Sequence, residues 1–177
     1  MATNLYLERR AAENISEELR RVYKTGDFER RGFNKVEFNK LFGKAKKRVL
    51  HRGRALIKEG THPNVYFFVK GSIDIRQGDC MLARLEGHDE SHLFLGEMTL
   101  LDRLRSANYE DAFASTDAVV VSDDVVVYEW QYEDMLKLLA QEHEVQNALL
   151  AYISFDLQSK LHEANANQVH LLKTTLS

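Results

Sequence analysis

The chain has 177 residues, the size of one globular domain, with 44% hydrophobic and 29% charged side chains. Its 24 Lys and Arg against 27 Asp and Glu give a net charge of −3, and this balance does not predict a nucleic-acid surface. The single cysteine, Cys80, excludes an internal disulfide and a cysteine zinc cluster. No apolar stretch approaches the roughly 18 residues of a membrane span, so we expect a soluble, cytoplasmic protein.

Helical signals lie at both ends of the chain. Over residues 1–44, one amphipathic helix is predicted to end at Gly26. A second helix begins at Asn34, which forms a capping box with Glu37, and ends at Gly43. Two apolar stripes predict two C-terminal helices over residues 131–163, which form one domain with residues 1–130. Residues 164–177 are predicted to form a flexible tail.

A β-barrel of roughly six to eight short strands is predicted over residues 45–130. Glycines separate short runs rich in Val, Ile, Phe and Leu. The predicted strands in the first part are Arg48–His51, Ala55–Lys58, Val65–Val69, Ser72–Arg76 and Met81–Leu85. Further on, two triplets of valines flank the turn-forming residues Ser122 to Asp124 and predict a buried hairpin. Cys80 lies beside a strand and is expected to be a buried, inert thiol.

One motif between the two β regions carries recognisable chemistry. Gly96-Glu97 precedes an apolar helical turn, and Arg105-Ser106 follows it. Glycine permits close backbone approach, and the free N–H groups of the turn can face an anion. Arginine adds a planar fork of donors that suits phosphate oxygens. Because Glu97 would repel phosphate, it is expected to bind a sugar hydroxyl. An acid for the sugar and an arginine for the phosphate together indicate a nucleotide-binding site.

This motif resembles the phosphate-binding cassette of the cyclic nucleotide-binding domain superfamily. Gly96-Glu97 and the four residues after it match the first half of the cassette, and Arg105-Ser106-Ala107 matches the second half. A narrower resemblance is to the Popeye domain, a divergent branch of the superfamily. The segments of this chain that resemble conserved segments of the Popeye domain are residues 39–42, the Gly60 turn and Tyr128-Glu129-Trp130.

The resemblance implies a mainly β fold with flanking helices: a β-barrel of the double-stranded β-helix or jelly-roll type, preceded by N-terminal helices and closed by two C-terminal helices. It also implies a non-catalytic sensor that binds a cyclic nucleotide, cyclic AMP rather than cyclic GMP, with no further cofactor and no metal. Arg105 would bind the cyclic phosphate, and Arg103 is its rival because the spacing from Glu97 to Arg105 is one residue short. Glu97 would accept a hydrogen bond from the ribose 2′-hydroxyl, and the Gly96 and Ser106 backbones, with Ala107 beside them, would line the phosphate site. Tyr152 could cover the base from the last helix, although a residue in such an apolar stripe is more often core packing.

Two other functions stay open at the level of sequence. One is a Popeye-like protein-interaction module that has lost nucleotide binding. The other is a metal-dependent barrel enzyme, for which His88, His92 and Glu97 are the candidate ligands, although their spacing fits no zinc motif. We expect no nucleic-acid partner and no membrane span. The last helix is a candidate surface for a homodimer, and membrane association would follow if the chain were excised from a longer Popeye-type protein.

Overall fold

The computed structural model describes residues 16–87, 93–105 and 113–158. Two helices come first, α1 (Glu17–Thr25) and α2 (Lys35–Phe42). Seven strands follow, interrupted by one helix: β1 (Lys46–Leu50), β2 (Ala55–Ile57), β3 (Val65–Gln77), β4 (Cys80–Gly87), β5 (Leu93–Leu95), α3 (Glu97–Arg105), β6 (Asp117–Val120) and β7 (Val125–Trp130). The described part ends with α4 (Tyr132–Gln141) and a helix over residues 143–158, here α5.

The helix ends form as the sequence predicts. Asn34 Oδ1 accepts from the backbone N–H groups of Val36 and Glu37, at 2.8 and 3.0 Å, and Glu37 Oε2 accepts from the N–H of Asn34 at 2.9 Å. The capping box at the start of α2 is therefore confirmed. Gly26 and Gly43 end α1 and α2 as predicted. The predicted division of the chain at residues 44, 130 and 163 stays a prediction.

The seven strands form one curled antiparallel sheet of two halves that share β3. One half has the order β5-β3-β7-β1, and the other has the order β4-β3-β6-β2. Four residues link β1 to β2, and four residues link β6 to β7. Because these links are short, β6 and β7 lie on the same side of β3, one after the other along its length, with a bend between them. β1 and β2 follow β7 and β6 in the same way. The result is a half-barrel with flanking helices, and the predicted fold class is confirmed.

Two strand predictions are wrong, and both errors fall at this bend. β3 is one continuous strand of 13 residues, whereas the sequence analysis divided it before Ser72. The predicted hairpin at Ser122 to Asp124 is not formed, because β6 and β7 pair with β3 and not with each other. Ser122 instead crosses the bend, where its Oγ accepts from the Ser72 N–H at 2.8 Å.

Gly71 permits the close approach of strands at the bend. Its φ is +104°, and an added Cβ would lie 2.6 Å from Cγ2 of Val125 and 3.0 Å from Oγ of Ser122. An L-residue would be strained in this backbone conformation as well as crowded by the neighbouring strand. Gly71, at the predicted break between two strands, is therefore what allows one strand to belong to both halves of the sheet.

Two hydrophobic cores lie on opposite faces of the sheet. The larger core packs the helices against the first half, and Phe28 is at its centre, with six aromatic rings 4.7–6.3 Å away. These rings belong to Tyr23, Phe33, Phe38, Phe42, Phe67 and Tyr152. The smaller core fills the concave side of the half-barrel, where Phe68, Ile73 and Val120 are fully buried.

Polar groups on the convex side of the second half are held by ion pairs. The Asp74 carboxylate is buried and accepts hydrogen bonds from Arg84 Nε at 2.7 Å and from the Arg76 guanidinium at 3.0 Å. Hydrogen bonds from Arg84 and then Arg76 lower the pKa of Asp74 to about 2. Cys80, at the turn between β3 and β4, is exposed, so the expectation of a buried thiol is wrong. The turn leaves the first residue of β4 in solvent.

Candidate functional site

A cavity of about 310 Å³ opens on the concave side of the second half of the sheet. Its size is at the lower end of the range for small-molecule pockets. The strands contribute Ile57, Ile75, Leu85, Leu93 and Ala118, and the remaining wall is formed by Pro63 and by residues 94–99 and 114–116. The wall is mostly apolar, and its polar side chains are those of Glu97, Thr99, Ser115 and Thr116.

Gly96 places the start of α3 against the cavity. Its φ is +81°, and an added Cβ would lie 2.5 Å from the carbonyl oxygen of Asn64. Asn64 cannot move aside easily, because its Nδ2 donates to Glu129 at 3.0 Å and its Oδ1 accepts from the Tyr132 N–H at 3.2 Å. The turn therefore requires glycine, and α3 begins directly after it with Glu97.

The first turn of α3 presents backbone donors beside an acid. The Leu100 N–H is the first to bond within the helix, to the carbonyl of Gly96 at 3.3 Å. The N–H groups of residues 97–99 precede it and have no partner inside the helix. Glu97 lies in this turn and is half-buried. Among the described residues of the cavity wall, it is the one with a charged side chain.

The structure does not bring the two predicted arginines to the cavity. Arg105 is exposed at the C-terminal end of α3, eight residues after Glu97, which is about 12 Å along a helix axis. Arg103 is half-buried and lines a separate depression of about 280 Å³ that includes His62 and Tyr132. Ser106 and Ala107 lie outside the described residues. Of the predicted site, Gly96 and Glu97 line the cavity.

Tyr152 belongs to the larger core and does not line the cavity. It is fully buried, its hydroxyl donates to the carbonyl of Gly26 at 2.9 Å, and its ring lies 4.7 Å from that of Phe28. Burial raises the pKa of Tyr152, so the hydroxyl stays protonated. Phe94 separates it from the cavity, with the two ring centroids 5.3 Å apart. The position of Tyr152 agrees with core packing and argues against the role of base cover.

Three hydroxyl residues of the wall were missed by the sequence analysis. Thr99 follows the glycine by three residues, and Ser115 and Thr116 come just before β6. Ser115 and Thr116 lie in a loop, where such residues are common, and Thr99 is a single hydroxyl residue within α3, so their spacing carries no signal. The Thr99 carbonyl also accepts from the Tyr132 hydroxyl at 3.4 Å, which ties the cavity wall to the start of α4.

Within residues 16–87, 93–105 and 113–158, no three His, Cys, Asp or Glu side chains form a group that could hold a metal ion. His88 and His92 lie outside these ranges. None of the described helices is long and apolar enough to cross a membrane.

Comparison with solved structures identifies the fold. No family model and no curated protein matches the chain. A putative cyclic nucleotide-binding protein from Geobacter metallireducens GS-15 superposes with a TM-score of 0.62 at 13% identity, over 84% of this chain and 99% of that one. The chain has the fold of cyclic nucleotide-binding domains. A cyclic nucleotide-binding domain from Methylobacillus flagellatus KT superposes with a TM-score of 0.60 at 15% identity, over 82% of this chain and 83% of that one.

The same fold also forms part of a longer protein. The catabolite activator protein of Thermus thermophilus superposes with a TM-score of 0.54 at 22% identity, over 77% of this chain, and the chain spans 61% of that protein. These likenesses show the fold. The narrower resemblance to the Popeye domain stays a prediction.

Proposed function

We propose that this chain is a non-catalytic sensor domain that binds a cyclic nucleotide, cyclic AMP in the first place, in the cavity beside α3. The observation that supports the proposal is the position of this cavity. It is bounded by the Gly96 turn on one side and by the concave face of the second half-sheet on the other, in a fold shared with cyclic nucleotide-binding domains. The apolar wall suits a flat base, and Glu97 can accept a hydrogen bond from a ribose hydroxyl.

The cyclic phosphate needs a cation that the described wall does not contain. Arg105 is the candidate by resemblance, but it lies at the opposite end of α3 from Glu97. Ribose and phosphate are fused in a cyclic nucleotide, so both side chains must reach one small group. We therefore expect the last turn of α3 to bend toward the cavity when the nucleotide binds. Such a change is one route by which occupancy could reach neighbouring elements.

A second candidate is an interaction module that does not bind a nucleotide. The observation that favours it is the charge of the cavity wall. Among the described residues of the wall, the one charged side chain is the acid Glu97. An anionic ligand would be repelled by this carboxylate unless a cation accompanied it. In this alternative α3 stays intact and Arg105 stays in solvent.

Titration calorimetry with cyclic AMP and cyclic GMP separates the two candidates. The proposal expects saturable binding without turnover, and Arg105→Ala should weaken it by about 2–5 kcal/mol, the range for truncating one partner of a buried charge pair. Arg103→Ala is the matched control and should matter much less. The reverse ranking would assign the phosphate to Arg103. Silence with both nucleotides at millimolar levels would reject the proposal in favour of the interaction module.

A further inference from the structure

The net charge of −3 conceals a strongly basic segment. Residues 44–58, here called the basic edge, contain no Asp or Glu and seven basic side chains. These are Lys44, Lys46, Lys47, Arg48, Arg52, Arg54 and Lys58. The rest of the chain holds the other 17 Lys and Arg against all 27 Asp and Glu. The charge is therefore segregated along the sequence, and a balance taken over the whole chain hides it.

The fold places the basic edge along one rim of the sheet. Among the described strands, β1 pairs with β7 and β2 pairs with β6, so β1 and β2 form the outer strands of the two halves. All seven basic side chains are exposed, and His51 beside them is exposed as well. The segment thus forms a bent row of positive charge that runs along the sheet from the end of α2 to the end of β2.

Most of this charge is not neutralised by the described residues. Lys47 pairs with Glu18, and Arg48 pairs with Glu129 at 3.2 Å. The other five basic residues form no ion pair with a residue that the structure describes. By strand register the nearest acids are Glu129, which is opposite Lys46, and Asp117, which is next to the partner of Ile57. Asp117 forms no ion pair with the described residues of the basic edge.

The shape of the row favours a linear polyanion. Side chains on one face of a strand recur about every 6.6 Å, which is close to the span of two phosphates at about 3.4 Å per nucleotide of one DNA strand. Arginine forks and lysine ammonium groups both bind phosphate oxygens. A lipid surface would favour a plane of charge with aromatic or aliphatic side chains that insert. In the basic edge, Val49 is the exposed large hydrophobic residue, and no aromatic residue is present.

We propose that the basic edge binds the phosphate backbone of a nucleic acid without recognising its bases. None of the seven basic side chains lines the cavity, although Ile57 of the same segment does, and the inference does not depend on cyclic nucleotide binding. Backbone binding of this kind is driven by the release of counterions, so its affinity falls steeply with salt concentration. Each phosphate contact contributes about 0.7 to the logarithmic salt slope for a single strand.

The test measures the fluorescence anisotropy of a labelled DNA of mixed sequence, both as a single strand and as a duplex. The DNA has about 20 nucleotides, so that it is longer than the basic edge can cover. The triple variant Lys46→Gln, Arg52→Gln, Arg54→Gln should bind roughly tenfold or more weakly at about 50 mM salt, and its salt slope should be lower by about 2. The matched control, Lys24→Gln, Lys35→Gln, Lys137→Gln, removes the same charge from exposed helical positions and should bind like wild type. The form of DNA that binds more tightly identifies the kind of backbone preferred.

Several results would overturn the proposal. These are equal weakening by both triple variants, no binding of either DNA form at low salt, or binding to vesicles that contain phosphatidylserine with none to DNA. Melting temperatures of both variants show whether they are folded. If the first triple variant unfolds, Lys44→Gln with Lys58→Gln, at the two ends of the row, replaces it and should lower the salt slope by about 1.4.

Discussion

Replacing Gly96 by alanine tests how the turn before α3 positions the candidate site. The substitution has two costs. The positive φ of +81° is unfavourable for an L-residue by about 1–2 kcal/mol. The new Cβ would also lie 2.5 Å from the carbonyl oxygen of Asn64, and relieving such overpacking costs typically about 1–3 kcal/mol. The sum predicts that Gly96→Ala lowers the free energy of unfolding by roughly 2–5 kcal/mol.

Gly60→Ala is the matched control for the backbone term. Gly60 has a similar φ of +75°, but nothing lies within 4 Å of its added Cβ. It should therefore lose only the roughly 1–2 kcal/mol of backbone strain. Alanine restricts the unfolded chain alike in both variants, so this effect cancels in the comparison. The difference between the two variants isolates the contact with Asn64.

Urea unfolding measures both variants, with an unchanged slope m as the condition for comparison. A second readout is the position of the turn. If Gly96→Ala displaces the start of α3, it should weaken cyclic nucleotide binding, whereas Gly60→Ala should not. Equal destabilisation by the two variants, within about 0.5 kcal/mol, would show that the turn can move away from Asn64 and that its close approach does not position the site.

Two further predictions concern residues away from the cavity. Tyr152→Phe should destabilise by about 0.5–1.5 kcal/mol through the lost hydrogen bond to Gly26, and calorimetry should show unchanged nucleotide affinity; a large loss of affinity would restore the role of base cover. Asp74 has a pKa near 2, below the usual 3.8, so its stabilising contribution is complete above about pH 3.8 and is lost as the pH falls toward 2. Urea unfolding of Asp74→Asn should therefore show a loss at neutral pH and a shallower decline in acid than wild type, and parallel curves for the two proteins would contradict the ion-pair assignment.

Local signals in the sequence predict the helices at the two ends of the chain well and the strand pairing poorly. Asn34 and Glu37 are three residues apart, and their capping box depends on nothing outside that turn. The pairing of β6 and β7 depends instead on β3, which is long enough to accept both. A polar triplet between valines looks the same in a hairpin and in a bend. The distinction lies in which strand is adjacent, and periodicity does not contain that information.

The candidate site shows the same division between local and distant information. Gly96 and Glu97 are adjacent in the sequence and both line the cavity, because a glycine turn followed by an acid is a local feature. Arg105 is placed elsewhere because residues 97–105 form one continuous helix. Leu100 and Leu101 are buried, and Leu104 packs against the larger core, so packing supports the helix over its whole length. A comparison of sequence motifs contains no information about this packing, so it does not predict where Arg105 lies.

The continuous helix gives a last prediction about nucleotide affinity. If the last turn of α3 must open for Arg105 to reach the phosphate, weakening the helix should strengthen binding, because the open state becomes more populated. Asp102 is exposed within this turn, and glycine there costs about 1 kcal/mol of helix stability relative to alanine. Asp102→Gly should therefore bind cyclic AMP up to about fivefold more tightly than Asp102→Ala, as calorimetry can measure. Both variants remove the same charge, so electrostatics cancels between them. Equal or weaker binding by Asp102→Gly would mean that α3 does not open, and the phosphate would then need a cation other than Arg105.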